Sequence, residues 1–394
     1  MRPGEGPARV PALWLLVGLT GLGPFTMQIL IPAVPRMAND LGVSYAAAQL
    51  SLTLYLLGLA LGQLLYGPLA DRYGRRPVLL WSFGLYLVAS VLSALAPGMA
   101  SLGIGRLAQA IGACSGMVLG RAIIRDVWPR EEAASRIGYV VMAMTVAPML
   151  APIVGALIEE RFGWRAALAA CLIFGSPLLL AVWRRLPETL HTPQPLPGLR
   201  GMGLAYFSLL RLPAFLWIGA IGACATAVFF TFQAGAPRVV QEMGHPPRVY
   251  ATASLLVFVG YAAGSWLAGR YSARLGLVRM LSAGLWMIIL GAGGMLGAQL
   301  LLPPSLAGFF LPMTVVAVGN GVAMPNAVAG AISVRPERAA TASGLLGALQ
   351  MGSGAVLTLL TGAVEGGTGV ATALAMAGCG IGAIIALWGA RRHL

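Results

Sequence analysis

Charged positions cut this chain into long, uncharged, mainly apolar runs. Before a polar middle they are 26 residues (Arg9 to Arg36), 30 (Asp40 to Asp71), 29 (Arg76 to Arg106), 22 (Arg136 to Glu159) and 18 (Arg165 to Arg184). After it come 26 (Arg211 to Arg238), 21 (Arg248 to Arg270), 55 (Arg279 to Arg335), 26 (Arg338 to Glu365) and 25 (Glu365 to Arg391). A helix crosses the hydrocarbon core with about 20 apolar residues. Each run therefore holds one span, except that the 55-residue run holds two, broken at LLPPS near Pro303. A further span, Leu102 to Ile124, contains Arg106 and ends near Arg121. The sum is an all-α membrane protein of twelve transmembrane helices.

The polar middle, Arg184 to Arg211, is rich in proline and charge and reads as a connector. It divides the chain into a six-helix bundle at 1–185, a connector at 186–211 and a second six-helix bundle at 212–394. The two halves echo each other. GPLADRYG at Gly67 returns as GRYSARLG at Gly269, pairing Gly67 with Gly269, Arg72 with Arg274 and Gly74 with Gly276, each 202 residues apart. Both segments follow the second span of their half, so the bundles are expected to be related by pseudo-symmetry.

Composition fits this picture. Of 394 residues 58% are hydrophobic and 10% charged, where a soluble globule carries about a quarter charged. All 26 basic residues are Arg. Counting outward from a cytoplasmic N-terminus, 20 fall in cytoplasmic segments and five (Arg36, Arg161, Arg165, Arg238, Arg248) outside. The expectation is an inner-membrane protein with both termini cytoplasmic. The net charge of +14 reports this topology and not nucleic-acid binding, because the arginines lie in short separate loops. The four cysteines lie in four different spans without metal-ligand spacing, and no cofactor is expected. No cleavable leader is expected, since the first apolar stretch is long and ends in IPAVP.

Four groups of residues carry candidate chemistry. Gly67 to Arg76 places glycines Gly67 and Gly74 around Asp71, with Arg72, Arg75 and Arg76 as a basic cluster. Asp71 can accept from a helix N-terminus of the opposing half, a contact of roughly 0.3 to 1 kcal/mol that exists only when the cytoplasmic side is closed. The same segment also reads as an ordinary basic turn obeying the positive-inside rule. Pro148, Pro152 and Gly155 in the fifth span should bend that helix and bring it close to a neighbour, although membrane helices are generally rich in both residue types. Arg106, a permanent cation inside a span, must face an interior partner or snorkel to the surface. Gln109 shares its face. Met27, Gln28, Tyr55, Gln109, Phe229, Gln233 and Asn320 are candidates to face a central cavity, or else to join helices by hydrogen bonds.

The segment GPLADRYGRR resembles the signature loop GxLADRxGRR of the major facilitator superfamily. RLAQAIG, with Arg106, Gln109 and Ala110, resembles the superfamily's fourth-helix motif. AMTVAPMLAPIVGA, with Ala147, Ala151, Pro152, Gly155 and Ala156, resembles the fifth-helix motif of proton-coupled drug antiporters. IPAVP, RAIIRD (Arg121 to Asp126) and FQAGAPRVVQEMG look most like the Bcr/CflA group, which handles bicyclomycin and chloramphenicol-type compounds. The resemblance implies the major facilitator fold and a secondary active exporter of small amphipathic compounds, working by proton antiport and alternating access. The implied partners are a small-molecule substrate, protons and the lipid bilayer, with the chain acting as a monomer.

One departure bears on the driving force. The Bcr/CflA group usually carries an Asp where this chain has Gln28, and none of its twelve acids lies in the middle of a span. His191, His245 and His393 fall in loops or the tail. Asp126, at the end of the fourth span, is the remaining candidate for proton coupling, or else forms a cytoplasmic ion pair. Glu365, in the last external turn, is expected to be solvated. A second transport reading is therefore a dedicated exporter of a neutral metabolite without proton coupling. No His, Cys or paired-carboxylate arrangement is placed for catalysis, so an enzyme is not expected.

Overall fold

The computed structural model of the chain describes residues 11–190, 192, 198–335 and 338–392. Both chain ends expected in the cytoplasm, and His191 and His393, lie outside the described residues. The first span is broken: α1 (Leu13–Gln28) runs through a 3-10 turn (Ile31–Ala33) into α2 (Val34–Asp40). Pro32 and Pro35, at the starts of the turn and of α2, remove backbone donors where the continuous helix would need them. There follow α3 (Tyr45–Tyr73), α4 (Arg75–Ala94), α5 (Met99–Val127), α6 (Arg130–Phe162) and α7 (Trp164–Arg185). A short α8 (Leu199–Leu210) precedes α9 (Pro213–Glu242), α10 (Pro247–Leu275), α11 (Leu277–Leu301), α12 (Leu306–Ser333), α13 (Ala339–Val364) and α14 (Val370–Ala390).

Among the described residues, eleven spans are long and apolar enough to cross a membrane, counting α1 with α2 as one. The 33-residue α6, between α5 and α7, makes the twelfth. The expected break at LLPPS lies between α11 and α12. Trp81, Trp183, Trp266 and Trp388 point outward, more than half exposed, as lipid-facing side chains do.

The sequence echo has a structural counterpart. α3 and α4 are joined by Gly74 alone, at φ +96°, and α10 and α11 by Gly276 alone, at φ +81°, conformations that favour glycine. The expected connecting loop at Gly67 to Arg76 is thereby corrected: Gly67 to Tyr73 is the last turns of α3, and one residue makes the whole connection. We call the end of the molecule that carries this turn the basic end. The stretch expected as the connector contains the helix α8.

Small residues set the packing between halves. α3 lies along α13, where Gly344 and Gly347 meet Gln63 and Gly362 meets Gln49. α6 lies along α10. Within the first half, a Cβ added at Gly155 of α6 would overlap the Ile29 carbonyl, just where α1 breaks.

Candidate functional site: a buried polar core between a sealed and an open end

At the end opposite Gly74 the halves are bonded together. Tyr45 Oη and Gln49 Nε2, both on α3, donate to the Ala234 carbonyl of α9 at 2.5 and 2.7 Å. The Arg238 guanidinium lies 5.2 Å from the Tyr45 ring centre, and Arg248 pairs with Glu160 across the halves at 3.8 Å. Glu159 is held by Arg36 at 3.2 Å. Glu365 lies near this seal and is not solvated as expected. It is buried, accepting from Gly367 N (2.9 Å), Gly369 N (3.1 Å), Thr372 N (3.0 Å) and Thr372 Oγ1 (2.5 Å). The glycine-rich turn after it, with positive φ at Gly367 and Gly369, lets backbone amides wrap the carboxylate.

The halves part at both ends. At the sealed end a cavity of about 380 Å³ is lined by Asn39 and Glu160 on one side and Gln241 and Tyr250 on the other. At the basic end, which we call the open end, a cavity of equal volume is lined by Gly67, Asp71 and Arg125 on one side and Tyr206, Thr341 and Gly344 on the other. The Asp71 side chain is engaged within its own half. Its carboxylate accepts from Arg75 Nη1 at 2.6 Å, and the same guanidinium reaches Asp126 at 3.0 Å. Asp126 also accepts from Thr189 Oγ1 at 3.3 Å, so it takes the ion-pair reading and not that of an unengaged acid. Arg72 is exposed at the end of α3. Arg76 Nη2 donates to the Trp183 carbonyl at 2.7 Å.

Sequence reasoning missed the keystone of this cluster. Glu188 accepts from the first amides of α4, Arg75 N at 2.9 Å and Arg76 N at 3.1 Å, while also taking Thr189 N and Leu190 N. An acid at a helix N-terminus is stabilising there, but 112 residues separate Glu188 from Arg76, so no local pattern could reveal it. A side chain at Gly74 would strike this carboxylate.

Between the two ends lies a polar core in the first half. Arg106 is 1% exposed, which decides against snorkelling. Its Nη1 donates to Gln109 Oε1 at 2.5 Å and to the Thr26 carbonyl at 3.3 Å, and its guanidinium carbon sits 4.1 Å from the Tyr55 ring centre. Gln109 Nε2 donates to Ser90 Oγ at 2.8 Å, and Tyr55 Oη to the Gly23 carbonyl at 2.9 Å. Thr26 Oγ1 and Tyr86 Oη share a bond of 2.8 Å. No carboxylate bonds to Arg106 among the described residues, and its Nε has no partner.

The candidate cavity residues therefore separate into two sets. Tyr55, Gln109 and Asn320 make helix-joining bonds, Asn320 Nδ2 donating to the Ala225 carbonyl at 2.8 Å, the second of the two readings their sequence offered. Phe229 packs edge-on against Phe230 and Phe258. Gln28 and Gln233 behave otherwise. Each is at most 2% exposed, and among the described residues neither Nε2 nor Oε1 of either side chain has a hydrogen-bond partner. Gln28 ends α1 at its break, and Gln233 precedes Ala234, the acceptor in the seal. Gln49 Oε1, on the same seal, is likewise unpartnered. Ala151 is buried and Pro152 lies inside α6, beside the Gly155 contact with α1.

Residues 16–359 match the family model described as Major Facilitator Superfamily. The chain is 30% identical over 368 residues to multidrug resistance protein D of Escherichia coli (strain K12), covering 89% of this chain and 88% of that protein. It is 32% identical over 347 residues to a chloramphenicol resistance protein of Pseudomonas aeruginosa, covering 84% and 80%. Among solved structures, a peptide transporter POT in complex with sulfate superposes with a TM-score of 0.80 at 14% identity, covering 99% of this chain and 96% of the other. That last likeness bears on the fold alone.

Proposed function

The chain belongs to the Major Facilitator Superfamily, and from that premise we propose that it exports small, uncharged amphipathic compounds across the bacterial inner membrane by alternating access. Similarity to the two resistance proteins supports drug export. The observation that carries the reading is the pair of buried glutamines, Gln28 and Gln233, whose amides make no bond within the protein. A buried amide without a partner costs about 1 to 3 kcal/mol. A cargo with hydroxyl, carbonyl or amide groups relieves that cost, and Phe229 and Phe230, one turn before Gln233 on α9, offer apolar surface to the rest of the molecule.

The cycle follows from the two ends. The unit at 1–185 rocks against 212–394, with both termini cytoplasmic and the basic end facing the cytoplasm. A substrate enters through the cavity beside Asp71. The bonds of Tyr45 and Gln49 to Ala234 then break, while α13 closes on α3 at the basic end. There Asp71, now facing the cavity and paired with Arg75, comes up against the start of α13.

Proton antiport is the coupling that the family resemblance implies, with the chain working as a monomer. A second reading, export of a neutral metabolite down its own gradient, is favoured by Gln28 and by the acid-free surroundings of Arg106. Expression in cells lacking their main efflux pumps tests the export reading. Resistance to phenicol-like agents and lower accumulation are expected, and neither across a broad panel would reject it. Proton movement on substrate addition to everted vesicles separates the two couplings.

A further inference from the structure

Every fourth or third residue along α8, from Arg200 through Leu204 and Phe207 to Arg211, lies on one exposed face. Leu204 is 67% and Phe207 49% exposed, which is costly in water. Arg211 sits 4.4 Å above the Phe207 ring, and α8 contains no acidic residue. The other face is docked. Leu209 is fully buried, Tyr206 Oη donates to the Leu64 carbonyl of α3 at 2.9 Å, and Arg338, just before α13, donates to Ser208 Oγ at 2.5 Å. α8 thus touches both halves and contributes Tyr206 to the open cavity.

Its depth can be read from α3. At 1.5 Å per residue the 29-residue α3 is about 44 Å long, against a hydrocarbon core of about 30 Å. The stretch from Tyr45 to Leu64 alone accounts for about 29 Å of it. With the apolar layer taken to begin at Tyr45, α8, docked at Leu64, lies where α3 leaves that layer, so its outer face meets headgroups. Two apolar side chains flanked by two guanidiniums, with no acid, suit an anionic interface.

We propose that α8 is a binding site for an anionic phospholipid of the leaflet it lies on, held by Arg200 and Arg211 with Leu204 and Phe207 inserted among the acyl chains. The inference rests on the membrane-transporter reading and not on the cargo. Bound lipid pins α8 at the surface, and through Tyr206 and Ser208 it ties both halves to one resting geometry at the basic end.

The test uses the full chain in nanodiscs of phosphatidylcholine, alone or mixed with phosphatidylglycerol, and reads amide hydrogen exchange across α8. Exchange should slow when phosphatidylglycerol is present. Arg200→Gln and Arg211→Gln should each reduce that slowing about fivefold. Leu204→Ser with Phe207→Ser should raise exchange in both lipids. Arg279→Gln, an exposed arginine at the start of α11, should leave the effect intact. Exchange indifferent to phosphatidylglycerol, or an equal loss in Arg279→Gln, overturns the proposal. Slowing by free glycerol phosphate in phosphatidylcholine nanodiscs would point to a small-anion site and also overturn it. No transported compound enters this assay, so it stands or falls apart from drug export.

Discussion

Arg106 is a permanent cation held in the membrane interior by neutral groups only: an amide oxygen, a carbonyl and a tyrosine ring. Such a charge is a poor choice for stability, since a lone cation in the middle of a span costs at least about 2.5 to 3.5 kcal/mol, which an uncharged side chain of similar length does not. Arg106→Met is therefore expected to keep or raise the melting temperature of the purified protein while lowering export at least about tenfold. A thermal melt and an accumulation assay on the same preparation check this. A variant that melts early and transports in proportion to its folded fraction would make Arg106 a structural residue. The sequence revealed Arg106 and Gln109 as an interior pair because a charge inside an apolar run is conspicuous. It gave no sign that Gln109, Ser90 and the Tyr86 carbonyl form one chain of bonds, because Gln109 and Ser90 come from two helices and their meeting depends on how those helices are rotated.

Glycines distinguish the helices that pack permanently from those that slide. At Gly155 a Cβ would overlap a backbone carbonyl that cannot move aside, so Gly155→Ala should destabilise the protein by about 1 to 3 kcal/mol, through overpacking between α6 and α1. Gly67, in the signature segment, meets nothing within 4 Å and faces the open cavity. Gly67→Leu should leave the melting temperature unchanged yet hinder closure of the basic end, seen as sustained labelling of a cysteine placed at Thr341 and a fall in export. Loss of stability in Gly67→Leu would show that α3 is already close-packed there. The spans and their number were legible because a bilayer forces about 20 apolar residues into each crossing, a signal carried by composition alone, and the repeat because three identities recur 202 residues apart. The ends of elements were less so. Glu188, Glu365 and α8 depend on contacts among segments far apart in sequence, or on a turn whose glycines matter only once folded around a carboxylate.

Across the whole molecule the two ends differ in how they are held. The sealed end is closed by two neutral donors on one carbonyl and by an ion pair whose partners are 66% and 26% exposed. The ion pair contributes little, about 0 to 1 kcal/mol, whereas each hydrogen bond contributes about 0.5 to 1.5 kcal/mol. Two states that interconvert during transport lie within a few kcal/mol of each other, so the bonds to Ala234 are large enough to set the balance and small enough to break. Removing both donors with Tyr45→Phe and Gln49→Leu should shift the equilibrium toward opening of this end by about thirtyfold, while Glu160→Gln should shift it by less than about fivefold. Spin labels at Asn39 and Gln241, which line the cavity at the sealed end from opposite halves, report the distance directly. The double variant should populate a longer distance that the parent scarcely shows. If Glu160→Gln moved the distribution as far as the double variant, the seal would be electrostatic, and it should then loosen with salt, which the bonds to the Ala234 carbonyl would not do.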